Sequence, residues 1–417
     1  MVPPWHRKQV ERLIQEILVV AAYCPIVVIL LCTASLACAA DAVSVPVRPD
    51  AVLTRNAEMK RRVDAWLKEG QEVRMPVHVV YLSCEDQEPF PKHKERLNRV
   101  LTEVQTWMAD QHESAGFGRT TMLLERDDAG MVKLHEAKLP FAVASRNRKL
   151  ISQTHRACID ASKAVLSKAN VNYDKSFVLV LTTIPDDLGA APFFGNIIQD
   201  RGYCFAVDAP WLDSEYRKTD GEVVWKGKRI GPANSALIGG IAHELGHGLG
   251  LPHSDEPPSE KQYGESLMGS GNYTWRGELR NEGKGSYLLD TDAMLLIARP
   301  PFTARVRDFD KQPKARIDDL KFENIEGGLV KVTGKVVTDI PAHAVKLSDD
   351  PPDNSDYNSV AWAVLPDEKT GQFTLTFEPL KAAGEHELRL LLYHVNGRWT
   401  KLSNKMTVEK DGSVKLP

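Results

Sequence analysis

Cysteine is scarce in this chain, which has six in 417 residues. Three lie within the first 40 residues, and the others are Cys84, Cys158 and Cys204. Three cysteines permit at most one internal disulfide, and the sequence does not tell which pair, if any, forms it. The class of small secreted proteins held together by a disulfide framework is therefore excluded.

An excess of charge of either sign is also lacking. The chain has 53 Lys and Arg against 56 Asp and Glu, which gives a formal net charge of −3. This balance predicts no nucleic-acid partner and no binding to an anionic surface. No internal repeat or long low-complexity tract occurs, and hydrophobic residues make up 42% of the chain. Two or three globular domains are expected from this length and composition.

A long apolar run occurs at the N-terminus, at residues 17–40 (ILVVAAYCPIVVILLCTASLACAA), and follows Arg7, Lys8 and Arg12. A basic start, an apolar run and a small-residue ending predict a signal peptide over residues 1–40. The protein is then expected to be secreted, either extracellular or periplasmic. The alternative is an uncleaved N-terminal membrane anchor, because the run is long for a signal peptide. Residues 41–72 are interpreted as a linker or a pro-segment.

Strand and helix patterns alternate between residues 73 and 305, which predicts an α+β domain built on a mixed twisted sheet. The apolar side chains of the segment 91–114 recur at steps of three and four, so it should be a long amphipathic helix. A second long helix is expected over 147–168. Strands are expected at 75–84, 176–183 and within 197–208, and as a pair formed by 119–126 and 131–137.

The pattern changes after residue 313. Short strand candidates recur up to about residue 410, and Asn396-Gly397 stands between two of them as a hairpin turn. The segment 313–410 is therefore predicted to be an all-β, Ig-like sandwich. It contains no cysteine, so the core disulfide found in some such sandwiches is excluded.

The stretch HELGHGLGLPH, residues 243–253, contains the candidate metal-binding and catalytic residues. His243 and His247 are four residues apart, so on a helix they share one face and can bind one Zn²⁺. A catalytic zinc site needs a third ligand, for which His253 is the candidate. Gly250 would end the helix with a positive φ and turn the chain back to bring His253 to the metal. Glu244 adjoins the first ligand and is the candidate general base.

This motif resembles the long zinc-binding signature of the metzincin metallopeptidases. Met268, in ESLMGSG, would correspond to the methionine turn that lies beneath the metal in that clan. Ser254 directly after the third histidine is similar to the matrixin branch. Some branches place a tyrosine two residues after the turn methionine. Here that position is Ser270, and Tyr273 is the candidate transition-state stabiliser instead.

The resemblance implies that a peptide substrate binds in an extended conformation along an edge strand, for which residues 189–200 are the candidate. Phe193 and Phe194 would line a side-chain pocket there or belong to the core, and the sequence does not decide between these two roles. His78, His135 and His155 are interpreted as structural.

A secreted zinc-dependent endopeptidase of the metzincin type is thus the first functional hypothesis, with a protein or peptide as substrate. The alternative is an extracellular binding protein in which the C-terminal sandwich carries the function and the zinc site is vestigial. The sequence does not determine the oligomeric state, and the residues that resemble the metzincin motif favour the enzyme.

Overall fold

A computed structural model describes residues 48–186, 189, 192–196, 200–352 and 355–416. The predicted signal peptide lies outside the described residues. Among the described residues, no helix has the length and apolar character needed to cross a membrane.

A five-stranded sheet organises the N-terminal half. In chain order its strands are Val77–Cys84 (β1), Leu134–Leu139 (β2), Phe177–Thr182 (β3), Phe194–Asn196 (β4) and Gly202–Val207 (β5). The spatial order is β2-β1-β3-β5-β4. All neighbours are parallel except β4, which pairs antiparallel with β5 at one edge. The central strands β1 and β3 are rich in valine and leucine because elements cover both faces of a parallel sheet.

The strand pair expected from 119–126 and 131–137 forms only next to its turn. These segments share a single antiparallel bridge, Arg126 with Val132, around a turn in which Asp127 accepts backbone hydrogen bonds. The chain instead continues into β2, which pairs parallel with β1 over six residues from Leu134 to Leu139. From Leu134 onward, pairing with the buried strand β1 satisfies the backbone groups of β2 and buries Leu139. Tertiary context therefore limits the predicted hairpin to the residues next to its turn.

Five α-helices accompany this sheet in the described part of the chain. They are Asp50–Leu67 (α1), His93–Ser114 (α2), Ile151–Lys168 (α3), Ile230–Gly248 (α4) and Asp290–Leu296 (α5). The two long helices predicted from periodicity, α2 and α3, are confirmed within a few residues at their starts. Three short ladders complete this half: Gln71–Glu72 with Arg305–Val306, Val223–Trp225 with Lys228–Arg229, and Glu265–Ser266 with Ser286–Tyr287. Cys84, Cys158 and Cys204 are all buried and free, so these three form no disulfide.

The C-terminal half is all-β, as predicted. Its strands are Ala315–Ile325 (β6), Leu329–Thr338 (β7), Ala342–Asp350 (β8), Val360–Val364 (β9), Gln372–Phe377 (β10), Gly384–His394 (β11) and Trp399–Val408 (β12). One antiparallel sheet has the order β6-β7-β10. The other has the order β9-β8-β11-β12 and ends on the short strand Val414–Lys415. The Asn396-Gly397 turn joins β11 to β12 as expected, with φ of +82° at Gly397.

Buried polar contacts join the two halves. The His343 Nε2 donates to the Met294 carbonyl at 2.8 Å, and the Lys346 ammonium lies 3.4 Å from Asp292 with both side chains fully buried. The Arg299 guanidinium donates to the Gly397 carbonyl at 3.1 Å. Because buried polar groups tolerate little displacement, these contacts hold the all-β half in a fixed position against α5.

Candidate metal centre

The C-terminal end of α4 presents two imidazoles on one face. His243 and His247 have ring centroids 4.8 Å apart and planes nearly perpendicular. The helix ends at Gly248, and the Leu251 N–H donates to the Gly246 carbonyl at 2.9 Å. Gly250 has a φ of +105°, a conformation that side-chain-bearing residues rarely adopt. The helix-ending turn predicted for Gly250 is therefore confirmed.

This turn returns His253 to the other two histidines. Its ring centroid lies 5.3 Å from that of His243 and 4.5 Å from that of His247. The Nε2 atoms of His247 and His253 are 3.0 Å apart. One potential ligand nitrogen from each of the three rings lies within 4.8 Å of the others. The structure thus brings the three predicted ligands together at one point.

Hydrogen bonds fix the orientation of the two helical imidazoles. The Nδ1 of His243 lies 2.7 Å from the Leu267 carbonyl, and the Nδ1 of His247 lies 2.8 Å from the Leu251 carbonyl. A carbonyl only accepts, so each Nδ1 carries the proton and each Nε2 keeps its lone pair for a metal. Burial, and then the neighbouring His247, lower the pKa of His243 to about 4, which favours the neutral form that binds metals. This donor set fits Zn²⁺.

Met268 packs against α4 at Gly246. It is fully buried, and a Cβ added to Gly246 would lie 2.5 Å from its Sδ. Gly246 therefore lets the methionine approach the helix backbone between His243 and His247. The preceding carbonyl of Leu267 accepts the hydrogen bond from His243, so the same turn also orients a ligand.

Glu244 stands beside the first ligand on α4. Burial raises the pKa of its carboxyl group to about 8. A carboxyl group held in such a desolvated position next to a metal site is typical of a general acid and base.

Tyr273 does not join this group. It lies on the turn Gly271–Thr274 with 61% of its side chain exposed, and no ring contact of the described residues joins it to the three histidines. Another tyrosine, Tyr357, comes from the loop between β8 and β9. Its ring stacks on His253 with a centroid distance of 3.7 Å. The sequence offered no signal for it, because Tyr357 lies far along the chain in a polar loop.

A second cluster of potential ligands lies where β1 begins. The Glu125 carboxylate accepts from the Nδ1 of His78 at 2.5 Å and the Nε2 of His135 at 2.7 Å, and it also pairs with Lys133. Single histidines at 78 and 135 gave no indication of this pairing, which depends on the register of β1 and β2. Because Lys133 neutralises the carboxylate, these contacts account for the cluster as an ion-paired network.

No protein-family model matches this sequence, and no curated protein matches it. Among solved structures the chain is similar to OgpA from Akkermansia muciniphila. Catalytically inactive OgpA in complex with an O-glycopeptide substrate, glycodrosocin, aligns with a TM-score of 0.69 and 22% identity over 83% of this chain and 96% of that one. Wild-type OgpA aligns with a TM-score of 0.67 and 23% identity over the same shares. At this identity the likeness establishes a common fold that spans both halves of the chain.

Proposed function

We propose that this protein is a zinc-dependent endopeptidase of the metzincin type. The observation that carries the proposal is the convergence of His243, His247 and His253 beside Glu244. The fully buried Met268 beneath the helix supports the metzincin type. The matrixin-like branch rests on Ser254 and the motif spacing alone. Secretion, through the signal peptide over 1–40, stays a prediction.

A bound Zn²⁺ would polarise the scissile carbonyl and lower the pKa of a water molecule. Glu244 would act as the general base that accepts a proton from the attacking water, and then as the general acid that passes this proton to the leaving amine. Burial raises the pKa of Glu244 to about 8 in the protein alone, and a cation nearby opposes that shift. The position of Glu244, one residue after a ligand on a rigid helix, keeps its carboxyl group close to the reacting atoms.

The edge strand β4 is the surface along which the substrate peptide would lie. A Cβ added to Gly195 would be 2.2 Å from the Cβ of His247, so β4 lies directly against the metal ligands. One edge of β4 pairs with β5, and among the described residues β4 is the last strand of the sheet, so an extended peptide can add to its other edge. Only residues 189, 192–196 and 200 of the predicted segment 189–200 are described. Phe193 packs against α4 at Gly240, whereas Phe194 is 44% exposed and its ring stacks on His155 of α3, on the opposite face of β4.

We further propose that the substrates are O-glycosylated peptides. The likeness to OgpA in complex with an O-glycopeptide supports this substrate class. The exposed ring of Tyr357 beside His253 also supports it, because sugars pack their C–H faces on aromatic rings. The cleaved bond would then lie near a glycosylated residue.

The test compares the wild-type chain with Glu244→Gln, which keeps the shape of the side chain. We expect both proteins to contain about one zinc per chain, and only the wild type to cleave. Each is given a synthetic peptide in two forms, with and without an O-linked sugar, and products are identified by mass spectrometry. Cleavage by Glu244→Gln at the wild-type rate would overturn the role of the base. Equal cleavage of both peptide forms would overturn the substrate class.

The same experiment distinguishes the proposed endopeptidase from the alternative function. A chain that binds zinc stoichiometrically and cleaves neither peptide would favour an extracellular binding protein with a vestigial metal site.

A further inference from the structure

The loop between β8 and β9 touches the chain at the third proposed ligand, His253, and two residues after it. The Ser359 hydroxyl donates to the carbonyl of His253 at 3.0 Å, and the Asp255 N–H donates to the carbonyl of Ser359 at 2.6 Å. Asp255 and Val360 also form a parallel bridge. The all-β half therefore holds the backbone at His253, although it lies far from it in sequence.

Tyr357 from the same loop covers the ring of His253. The two ring planes are inclined by 27° with centroids 3.7 Å apart, which is a stacked arrangement. The Tyr357 ring is also nearly parallel to that of His243, at 8° and 6.1 Å. Tyr357 is 48% exposed, so it forms the boundary between the metal centre and solvent.

The three ligands differ in how the fold holds them. His243 and His247 project from consecutive turns of a buried helix, which limits the positions of their rings. His253 follows the Gly250 turn and stands outside the helix. A ligand on a turn needs support from its surroundings to keep its ring plane directed at the metal. The Tyr357 ring and the Ser359 hydroxyl supply such support.

We propose that the segment Tyr357–Val360 completes the metal centre, and that Tyr357 is a positioning residue that holds the His253 imidazole for metal binding. This inference rests on the proposed function. It assigns the all-β half a part in the active centre, since that half fixes one of the three metal ligands. The aromatic ring is the part of Tyr357 that acts, because stacking requires the ring and not the hydroxyl group.

The experiment uses the full chain and three variants: Tyr357→Ala, Tyr357→Phe and, as control, Tyr216→Ala, which removes another partly exposed tyrosine. The affinity for Zn²⁺ is measured by competition with a chelator, and the visible absorption spectrum is recorded after loading with Co²⁺. We expect Tyr357→Ala to weaken zinc binding about 10-fold and to change the Co²⁺ spectrum, as loss of a residue that orients a ligand does. Tyr357→Phe and Tyr216→Ala should stay within about twofold of the wild type.

Two results would overturn the inference while leaving the proposed function intact. One is a wild-type Co²⁺ spectrum and zinc affinity in Tyr357→Ala. The other is an equal loss in Tyr357→Phe and Tyr357→Ala, which would assign the effect to the hydroxyl group. A wild-type chain that binds neither ion would instead overturn the proposed function, and this inference with it. The unfolding midpoint of each variant, measured in urea, shows whether a loss of metal affinity reflects loss of the fold.

Discussion

The contact between Gly246 and Met268 can be tested by replacing the glycine with alanine. The added methyl group would lie 2.5 Å from the Met268 Sδ, 3.3 Å from its Cε and 3.4 Å from the Leu251 Cδ1. Met268 is flexible in principle, but it is fully buried and its neighbours leave it little room. The methyl group therefore overpacks the core directly beneath His243 and His247.

Two opposing terms set the magnitude. Alanine in place of glycine favours a helix by about 1 kcal/mol. Overpacking in a close-packed core costs about 1–3 kcal/mol. Gly246→Ala should thus lower the free energy of unfolding by roughly 0–2 kcal/mol. Met268→Ala alone should cost about 2–5 kcal/mol, because it leaves a cavity.

The double variant distinguishes this contact from general damage. Without the methionine sulfur, the new methyl group enters the vacated space, so the two losses should not add. We expect the double variant to be more stable than the sum predicts by roughly 0.5–3 kcal/mol. Urea unfolding of the full chain gives all four free energies of the cycle.

A control cycle pairs Gly246→Ala with Leu237→Ala, another buried residue of α4. The two positions are roughly 13 Å apart along the helix axis, so their effects should add. If the effects of Gly246→Ala and Met268→Ala also added within about 0.5 kcal/mol, the close contact between these two residues would be refuted.

Three further perturbations have definite expected outcomes. Gly250→Ala forces a side chain into a φ of +105° and should lower the free energy of unfolding by about 1–3 kcal/mol and weaken zinc binding; a wild-type urea midpoint would contradict it. Asp292→Ala leaves the fully buried Lys346 ammonium without its partner and should cost about 3–5 kcal/mol, whereas replacing both residues by apolar ones should cost less; equal losses would argue against the pair. Burial lowers the pKa of His343 to about 4, so the unfolded chain takes up this proton near pH 6.5 and the folded chain only near pH 4. Stability should therefore fall as the pH is lowered through this window, by on the order of 3 kcal/mol for this residue, and the slope should be shallower in His343→Gln; identical slopes would contradict the assignment.

The histidine motif at residues 243–253 could be recognised in the sequence because its geometry depends on residues close together in the chain. The i,i+4 spacing of His243 and His247 places them on one helix face. The positive φ at Gly250 could be expected because glycine is the residue that readily adopts this conformation. Buried strands such as Phe177–Thr182 were readable for a similar reason, since a short run of apolar, β-branched residues fits a sheet covered on both faces.

Other features depend on strand pairing, which the sequence leaves open. The sequence of the segment 131–137 predicted a hairpin with 119–126, but from Leu134 onward the segment pairs with β1 instead. The register of that pairing brings His78 and His135 to the same carboxylate, Glu125. The spacing of these three residues along the chain does not predict this contact. The edge position of Phe194–Asn196 agrees with the predicted segment 189–200, while only the tertiary structure shows that Phe193 lies against the core and that Phe194 is exposed.

The sequence by itself determined which three histidines gather, where the helix before them ends, and that the C-terminal half is all-β. These properties follow from helix periodicity, glycine conformation and strand patterning, which act over a few residues. Only the tertiary structure decided that Tyr357, and not Tyr273, lies against the three histidines of the motif. That choice depends on how the all-β half docks through buried contacts such as Lys346 with Asp292. Docking is set by the sum of many weak, long-range interactions, which no local pattern encodes.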